Sequence, residues 1–382
     1  MIRFSKGAPM KKNLYIIMVC ILAVFLISGC SKTWRKMYGG SGWDRASSIQ
    51  QTSDGGYIVA GSSYSTDIPG VTNHGDLTQD CYIIKLDADG EVLWQNMFGG
   101  SEEESAYSIQ QTSDGGYIVA GSSSSTDIPG VTNHGSSDFY IIKLDADGNV
   151  LWQNMYGGSD GDWANSIQQT SDGGYIVAGQ SGSTDIPGVI NHGGSDFYII
   201  KLDANGEVLW QNMYGGSENL IEEAANSIQQ TSDGGYIVAG WSESTDIPGV
   251  ANHGHLDFYI IKLDAYGNVL WQNMYGGSGW DSANSIQQTS DGGYIVAGAS
   301  GRGPMWTHHF NFYIIKLNTD GNVLWQNMYG GSDFDGANSI QQTSDGGYIV
   351  AGRSGSTDIP GVINHGYSDF YVIKLNALGY WI

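Results

Sequence analysis

The sequence predicts an all-β fold, a six-bladed β-propeller of four-stranded antiparallel blades, and three observations carry that prediction. One string, Ser-Asp-Gly-Gly-Tyr-Ile-Val-Ala-Gly, occurs six times, with its aspartate at Asp54, Asp114, Asp172, Asp233, Asp291 and Asp345. A period of this size marks a repeated supersecondary unit. Within each repeat two strands are nearly continuous apolar runs, where a sheet with one wet face would alternate, so each small sheet packs on both sides. The first repeat is also preceded by a stray copy of the last strand of a repeat, while the last repeat stops short of that strand.

Repeat 3 shows each element. Strand a is read at Ser166–Thr170, and the Ser171-Asp-Gly-Gly174 turn leads into strand b, Tyr175–Gly179. The long loop Ser183 to Gly193 leads to strand c, Phe197–Leu202, and the Asp203-Ala-Asn-Gly206 turn leads to strand d, Val208–Tyr214. Short Asp/Gly connections between β-branched and aromatic runs signal hairpins, because glycine accepts the positive φ that tight turns need. No segment shows a 3.6-residue apolar period with caps, so no helix is expected in the repeats. Radial stacking of six such sheets satisfies their two-sided packing. The alternatives are a seven-bladed-like ring or an open array, and a linear array needs polar end caps that are not seen. Trp34-Arg-Lys-Met-Tyr-Gly-Gly40 matches strand d, Trp152-Gln-Asn-Met-Tyr-Gly-Gly158, whereas repeat 6 ends at Trp381-Ile382. The N-terminal strand is therefore expected to complete the last blade and close the ring, removing two sheet edges. The propeller is assigned to residues 34–382.

The first 29 residues read as a targeting segment. Lys11 and Lys12 precede an apolar run from Leu14 to Ile27, shorter than the roughly 20 residues that span a bilayer. The run ends in Ile27-Ser28-Gly29-Cys30, which resembles the lipobox of bacterial lipoproteins. That resemblance implies cleavage before Cys30, acylation of Cys30 (palmitate among the chains), a tether over residues 30–33 and membrane attachment through lipid. Ser31 implies outer-membrane sorting in a diderm envelope, with the cell-surface and periplasmic sides both open. Removing Arg3, Lys6, Lys11 and Lys12 makes a body of net charge −23 still more acidic, which argues against nucleic-acid partners. Cys81 is then the only unmodified thiol, so packing alone holds the fold. A monomer is expected.

The pattern Tyr-Gly-Gly-Ser, Asp-Gly-Gly-Tyr-Ile-Val-Ala-Gly, Ser-Thr-Asp-Ile-Pro-Gly and Asp-Phe-Tyr-Ile-Ile-Lys-Leu resembles the bacterial SBBP β-propeller repeat. The resemblance covers essentially the whole chain after the tether, with Ser-Thr-Asp-Ile-Pro-Gly absent from repeat 5. The family is named for seven blades, and six repeats are counted here. It implies a propeller on a surface or secreted protein and assigns no chemistry.

Alternating turns place the a–b and c–d connections on one face and the long b–c and d–a loops on the other. Cys30 lies within about 14 Å of Trp34 at full extension, so the tight-turn face is expected toward the membrane and the long-loop face away from it, as the binding surface. The lysines of strand c and the tryptophans of strand d recur in every repeat and are read as packing. The tryptophan stretch Leu-Asp-Ala-Asp-Gly-Asn-Val-Leu-Trp152 resembles the tryptophan docking of quinoprotein-type propellers. The Asp145-x-Asp147 type of turn lacks the further oxygen ligands of a full calcium loop, so turn capping is the preferred reading and Ca²⁺ the lesser one; no other cofactor and no metal site is expected. The candidate ligand contacts are Trp43, Trp163 and Trp280 in carboxylate-rich d–a loops, and Met305, Trp306, His308 and His309 in the divergent loop of repeat 5. No catalytic residue is assigned. The Asp-Gly-Gly turns resemble the Asp-boxes of sialidases, but Arg35, Arg45, Arg302 and Arg353 occupy unmatched repeat positions. The preferred function is a non-catalytic, lipid-anchored module binding glycan or protein. An envelope polysaccharide hydrolase or lyase and an outer-membrane assembly scaffold are the alternatives.

Overall fold

The computed structural model describes residues 33–75, 77–217, 222–301 and 309–381. They form an all-β propeller of six antiparallel blades, five of four strands and the last of three, and the described residues contain no helix. Each blade runs a-b-c-d from the central channel outward. In blade 3 the strands are Asp162–Gln169, Tyr175–Ser181, Asp196–Leu202 and Val208–Tyr214.

Strand a begins four residues earlier than the sequence reading placed it, because a bulge carries the pairing past Ser166. Ala178 faces Ser166 and Gly179 faces Ala164, leaving Asn165 unpaired in the ladder. The extra residue has work to do: Asn165 Nδ2 donates to Ala225 O of blade 4 at 3.0 Å, and Asn226 and Asn284 repeat that bond to the blades after them. A bulge re-aims a side chain that regular pairing would hold on the sheet face.

The apolar runs lie where two-sided packing requires. Strand c is buried along its whole length in blades 1 to 4, and the core is divided into interblade layers. One such layer joins Phe139, Ile141 and Ile118 of blade 2 to Tyr198, Ile200 and Val177 of blade 3. The ring of Phe139 lies 4.9 Å from that of Tyr198, and Phe197–Tyr259, Phe258–Tyr313 and Phe312–Tyr371 repeat the pair. Gly179, Gly240, Gly298 and Gly352 make room for these rings, since a Cβ at each would meet the phenylalanine Cζ at 2.8 Å.

The recurring lysines and tryptophans are structural. Lys143 is 3% exposed, and its ammonium donates to Asp114 in the a–b turn at 2.9 Å and to Leu144 O at 3.0 Å. Trp94 Nε1 donates to Ala146 O in the c–d turn of the next blade at 3.0 Å, and its ring stands edge-on to Tyr117. The Asp145 carboxylate caps its own turn by accepting from the backbone of Asp147 and Asn149.

The seam between the last and first blades differs from the other five. Segment 34–40 sits against blade 1 as strand d of one blade sits against the next: Trp34 Nε1 donates to Ala88 O at 2.9 Å and Tyr38 Oη to Gly90 O at 2.8 Å. Strand c of blade 6, Asp369–Leu375, pairs with strand b alone, apart from a bridge between Leu375 and Trp381 where a fourth strand begins. Among the described residues no ladder joins segment 34–40 to blade 6, so that half of the expected closure is not formed. Side-chain docking on blade 1 holds the segment, while backbone pairing would require blade 6 to meet blade 1. The facing surfaces are open accordingly: Phe370 is 98% and Ile49 64% exposed, against 0% for Phe312 and 5% for Ile340.

Candidate binding face

Strand direction puts the tight turns at one end of every blade and the long loops at the other. Thr33 and Trp34 lie beside Gly55, Ala88 and Asp89, so the chain enters the propeller at the tight-turn face, as the turn pattern predicted. Along the axis runs a channel of about 350 Å³, lined by alternating isoleucines and glutamines of strand a from Ile49–Gln50 round to Ile340–Gln341. Those glutamines are engaged: Gln110 Oε1 accepts from the backbone of Gln169 at 2.6 Å, a tie repeated between successive blades.

The long-loop face is built on the Ser-Thr-Asp-Ile-Pro-Gly and Asn-His-Gly loops. In blade 3, Asp185 accepts from Ser159 N of the preceding d–a loop at 2.8 Å, and Gln211 Nε2 donates to Pro187 O. The backbone bond lowers the pKa of Asp185 below the usual carboxylate range. The loop histidines do not converge. Each bonds an aspartate of its own blade through Nδ1, His74 to Asp80, His134 to Asp138, His192 to Asp196, His253 to Asp257 and His365 to Asp369. Among the described residues no group of three or more His, Cys, Asp or Glu is arranged to hold a metal ion.

The expected acylation site Cys30 and, of the expected ligand contacts, Met305, Trp306 and His308 lie outside the described residues. Trp43 stands 87% exposed and Trp163 36% exposed, the six-membered edge of the Trp163 ring lying over Gly161. Trp280 is less available than its loop position implied. Its ring stacks on His255 at 5.6 Å and 15°, its backbone bridges Leu256, and its Nε1 is buried. His309 is exposed, with Nδ1 against Ser332 O. Trp43, Trp163 and Trp280 stand on blades 1, 3 and 5, so they mark separate points of the face and not one pocket.

An aromatic group beside the divergent loop was missed at the sequence level. Phe310 packs on Phe334 at 5.1 Å, and the Arg353 guanidinium lies 4.4 Å above the Phe334 ring, a cation–π geometry. Its signal was present: the residue before the first acid of strand a is Trp43, Trp280 or Phe334 in three of the six repeats.

The fold and this face define a repeat β-propeller with one uniform and one varied surface. No family model matches the chain. It is 27% identical over 221 residues to the regulatory protein FlaEY of Caulobacter vibrioides, covering 53% of this chain and 22% of that protein. It is 24% identical over 126 residues to the uncharacterized WD repeat-containing protein L264 of Acanthamoeba polyphaga mimivirus, covering 30% and 8%. The chain thus spans less than a quarter of either relative. Similar solved structures include a protein of unknown function from Bacteroides caccae, with TM-score 0.43 and 15% identity over 79% of this chain and 88% of that one. Another is Sqt1 from Chaetomium thermophilum, with TM-score 0.45 and 11% identity over 87% and 72%.

Proposed function

We propose that the protein is a lipid-anchored envelope module, of the SBBP repeat type, that binds a glycan or a partner protein through its long-loop face without catalysis. The observation that supports this reading most is the division of labour between the two faces. The tight-turn face repeats one set of capped turns and receives the chain entry point, while the other carries the exposed Trp43 and Trp163 on an acidic rim. Aromatic faces beside carboxylates suit stacking on sugar rings and hydrogen bonding to their hydroxyls. Cys30 as the acylated residue would hold the tight-turn face toward an outer membrane and leave the binding face outward.

Purified protein is to be tested on a glycan array and by co-purification from envelopes, with Trp43→Ala and Trp163→Ala as paired variants. Both should weaken binding at least tenfold with an unchanged melting temperature. Binding that survives both substitutions sinks this assignment of the face. Anchoring is read separately, from incorporation of labelled palmitate that Cys30→Ala abolishes.

A polysaccharide hydrolase needs two carboxyls open to substrate. The close acid pairs of this fold, Asp138 with Asp162 among them, are sealed between blades, which is why the binding reading is preferred.

A further inference from the structure

Four interblade junctions beneath the long-loop face contain the same arrangement of two acids. The first acid of strand c in one blade and the first acid of strand a in the next stand together: Asp80 with Glu104, Asp138 with Asp162, Asp196 with Glu223, and Asp257 with Asp281. A Cβ on the intervening glycine (Gly99, Gly157, Gly215 or Gly276) would strike one oxygen of each acid in the pair. All eight residues are at most 1% exposed. Asp80 Oδ1, Asp138 Oδ1, Glu223 Oε2 and Asp257 Oδ1 are buried with no donor in the protein.

Every group facing the second junction can be named. His134 of the b–c loop donates its backbone N–H to Asp138 Oδ2 and contacts the same oxygen through Nδ1, leaving Oδ1 to the pair. Gly158 N and Ser183 Oγ donate to Asp162 Oδ2, and the Ser181 hydroxyl also bonds this carboxyl. Asp185 and the hydroxyls of Tyr156 and Tyr198 are the other titratable neighbours. No lysine or arginine acts on either acid. The other junctions repeat this with His74, Cys81 and Tyr140, with His192, Tyr214 and Tyr259, and with His253, Tyr275 and Tyr313. The one cationic neighbour is the histidine on the strand-c acid, half exposed and charged only when protonated, so two adjacent buried carboxylates with no permanent countercharge are disfavoured as a doubly ionised pair.

The chain contains its own comparison. At the junction of blades 5 and 6 the strand-c acid is replaced by Asn311, whose Oδ1 and Asp335 Oδ2 both border Gly330. An amide opposite a carboxylate has the shape and hydrogen-bonding pattern of a carboxylic acid opposite a carboxylate, at the same net charge.

We propose that at the four acid–acid junctions the two carboxyls share one proton in mildly acidic solution, an O–H···O bond that latches strand c of one blade to strand a of the next. The titration tendencies agree with the geometry. The pKa of Asp162 is raised to about 6 and that of Glu223 to about 7, by burial first and by the partner acid as well. Calcium in the same place would need six to eight oxygens, more than the four of two carboxyls.

The test counts protons released when the intact chain is unfolded at pH 6, by calorimetry in buffers of different ionisation heat, alongside the infrared carbonyl band of protonated carboxyls in the native state. About four protons from the pairs are expected. Asn311→Asp should add one proton and strengthen the band. Asp138→Asn should weaken the band while preserving the fold, as Asn311 shows the amide to be accommodated. The infrared reading separates carboxyl protons from those on the histidines. Absence of the band, or no change in it with either variant, overturns the proposal. A melting temperature that climbs on calcium addition and loses that response in Asp138→Asn also overturns it, in favour of a bound cation.

Discussion

Trp34 Nε1 donates to Ala88 O at 2.9 Å, the same bond that Trp94 makes to Ala146 in the next blade at 3.0 Å. The chain therefore begins its propeller as if a blade stood before blade 1, and the surfaces at the seam show what that blade would cover. A socket bounded by Tyr38, Ala46, Gly61 and Tyr82 lies open on blade 1, in the place where Gly179 and Tyr198 hold the ring of Phe139.

Phe258→Ala and Phe370→Ala should separate sharply. Phe258 is wholly buried, and its truncation is expected to cost about 3–5 kcal/mol. Phe370 faces solvent, so its truncation should stay within about 0.5 kcal/mol. Urea melts of both variants check this, and equal losses would mean that blade 6 docks on blade 1 in solution.

The Lys143–Asp114 bridge is asymmetric, with the ammonium buried and the carboxylate 56% exposed. Asp114→Ala strands a buried cation on Leu144 O and should cost about 1–3 kcal/mol. Lys143→Met leaves a carboxylate that water can solvate and fills the same channel with an apolar stem, so it should cost less. The order of the two, measured by denaturant unfolding, is the prediction.

Two glycines of matching φ should respond differently to alanine. Gly115 and Gly148 have φ of 86° and 81°. A Cβ on Gly115 meets nothing within 4 Å, while on Gly148 it meets the Trp94 ring at 2.8 Å. Gly115→Ala should cost only the left-handed backbone penalty of about 1–2 kcal/mol. Gly148→Ala adds the displacement of the docked indole and should cost more, with a change in Trp94 fluorescence that Gly115→Ala does not produce.

Stability should peak in mild acid. For Asp114 burial raises the pKa, but bonds from Thr112, Lys143 and Gly116 outweigh it and hold it at about 2, below its unfolded value near 3.8; Asp172 is held likewise. Their contribution is present above about pH 4 and is lost as pH falls toward 2. Asp162 and Glu223 carry raised values, so their contribution is complete below about pH 4 and is lost as pH rises through about 6 to 7. Thermal melts across pH 2 to 9 should give a maximum between pH 4 and 6 and a descending limb toward pH 8. A profile flat from pH 5 to 8 contradicts the raised values.

The repeat made the blade legible. Turn glycines, apolar strands b and c, the buried lysine and the docked tryptophan each recur six times, and a residue needed by every blade shows itself by recurrence. The bulge at Asn165 did not show, because an unpaired residue within a strand leaves no break in pattern. The burial of Trp280 was equally hidden, since its partner His255 belongs to the loop of another blade. The acid pairs were visible only as loop charge: Asp138 and Asp162 belong to different repeats, and their encounter depends on how one blade stacks on the next.

Local pattern thus set the secondary structure, the number of blades and the two unlike faces, because turn chemistry and strand periodicity act over a few residues. Stacking of neighbouring blades decided which loop charges became buried partners and which aromatic rings stayed in water. Those outcomes depend on contacts between residues some 25 to 60 positions apart, whose encounter no short stretch of chain encodes.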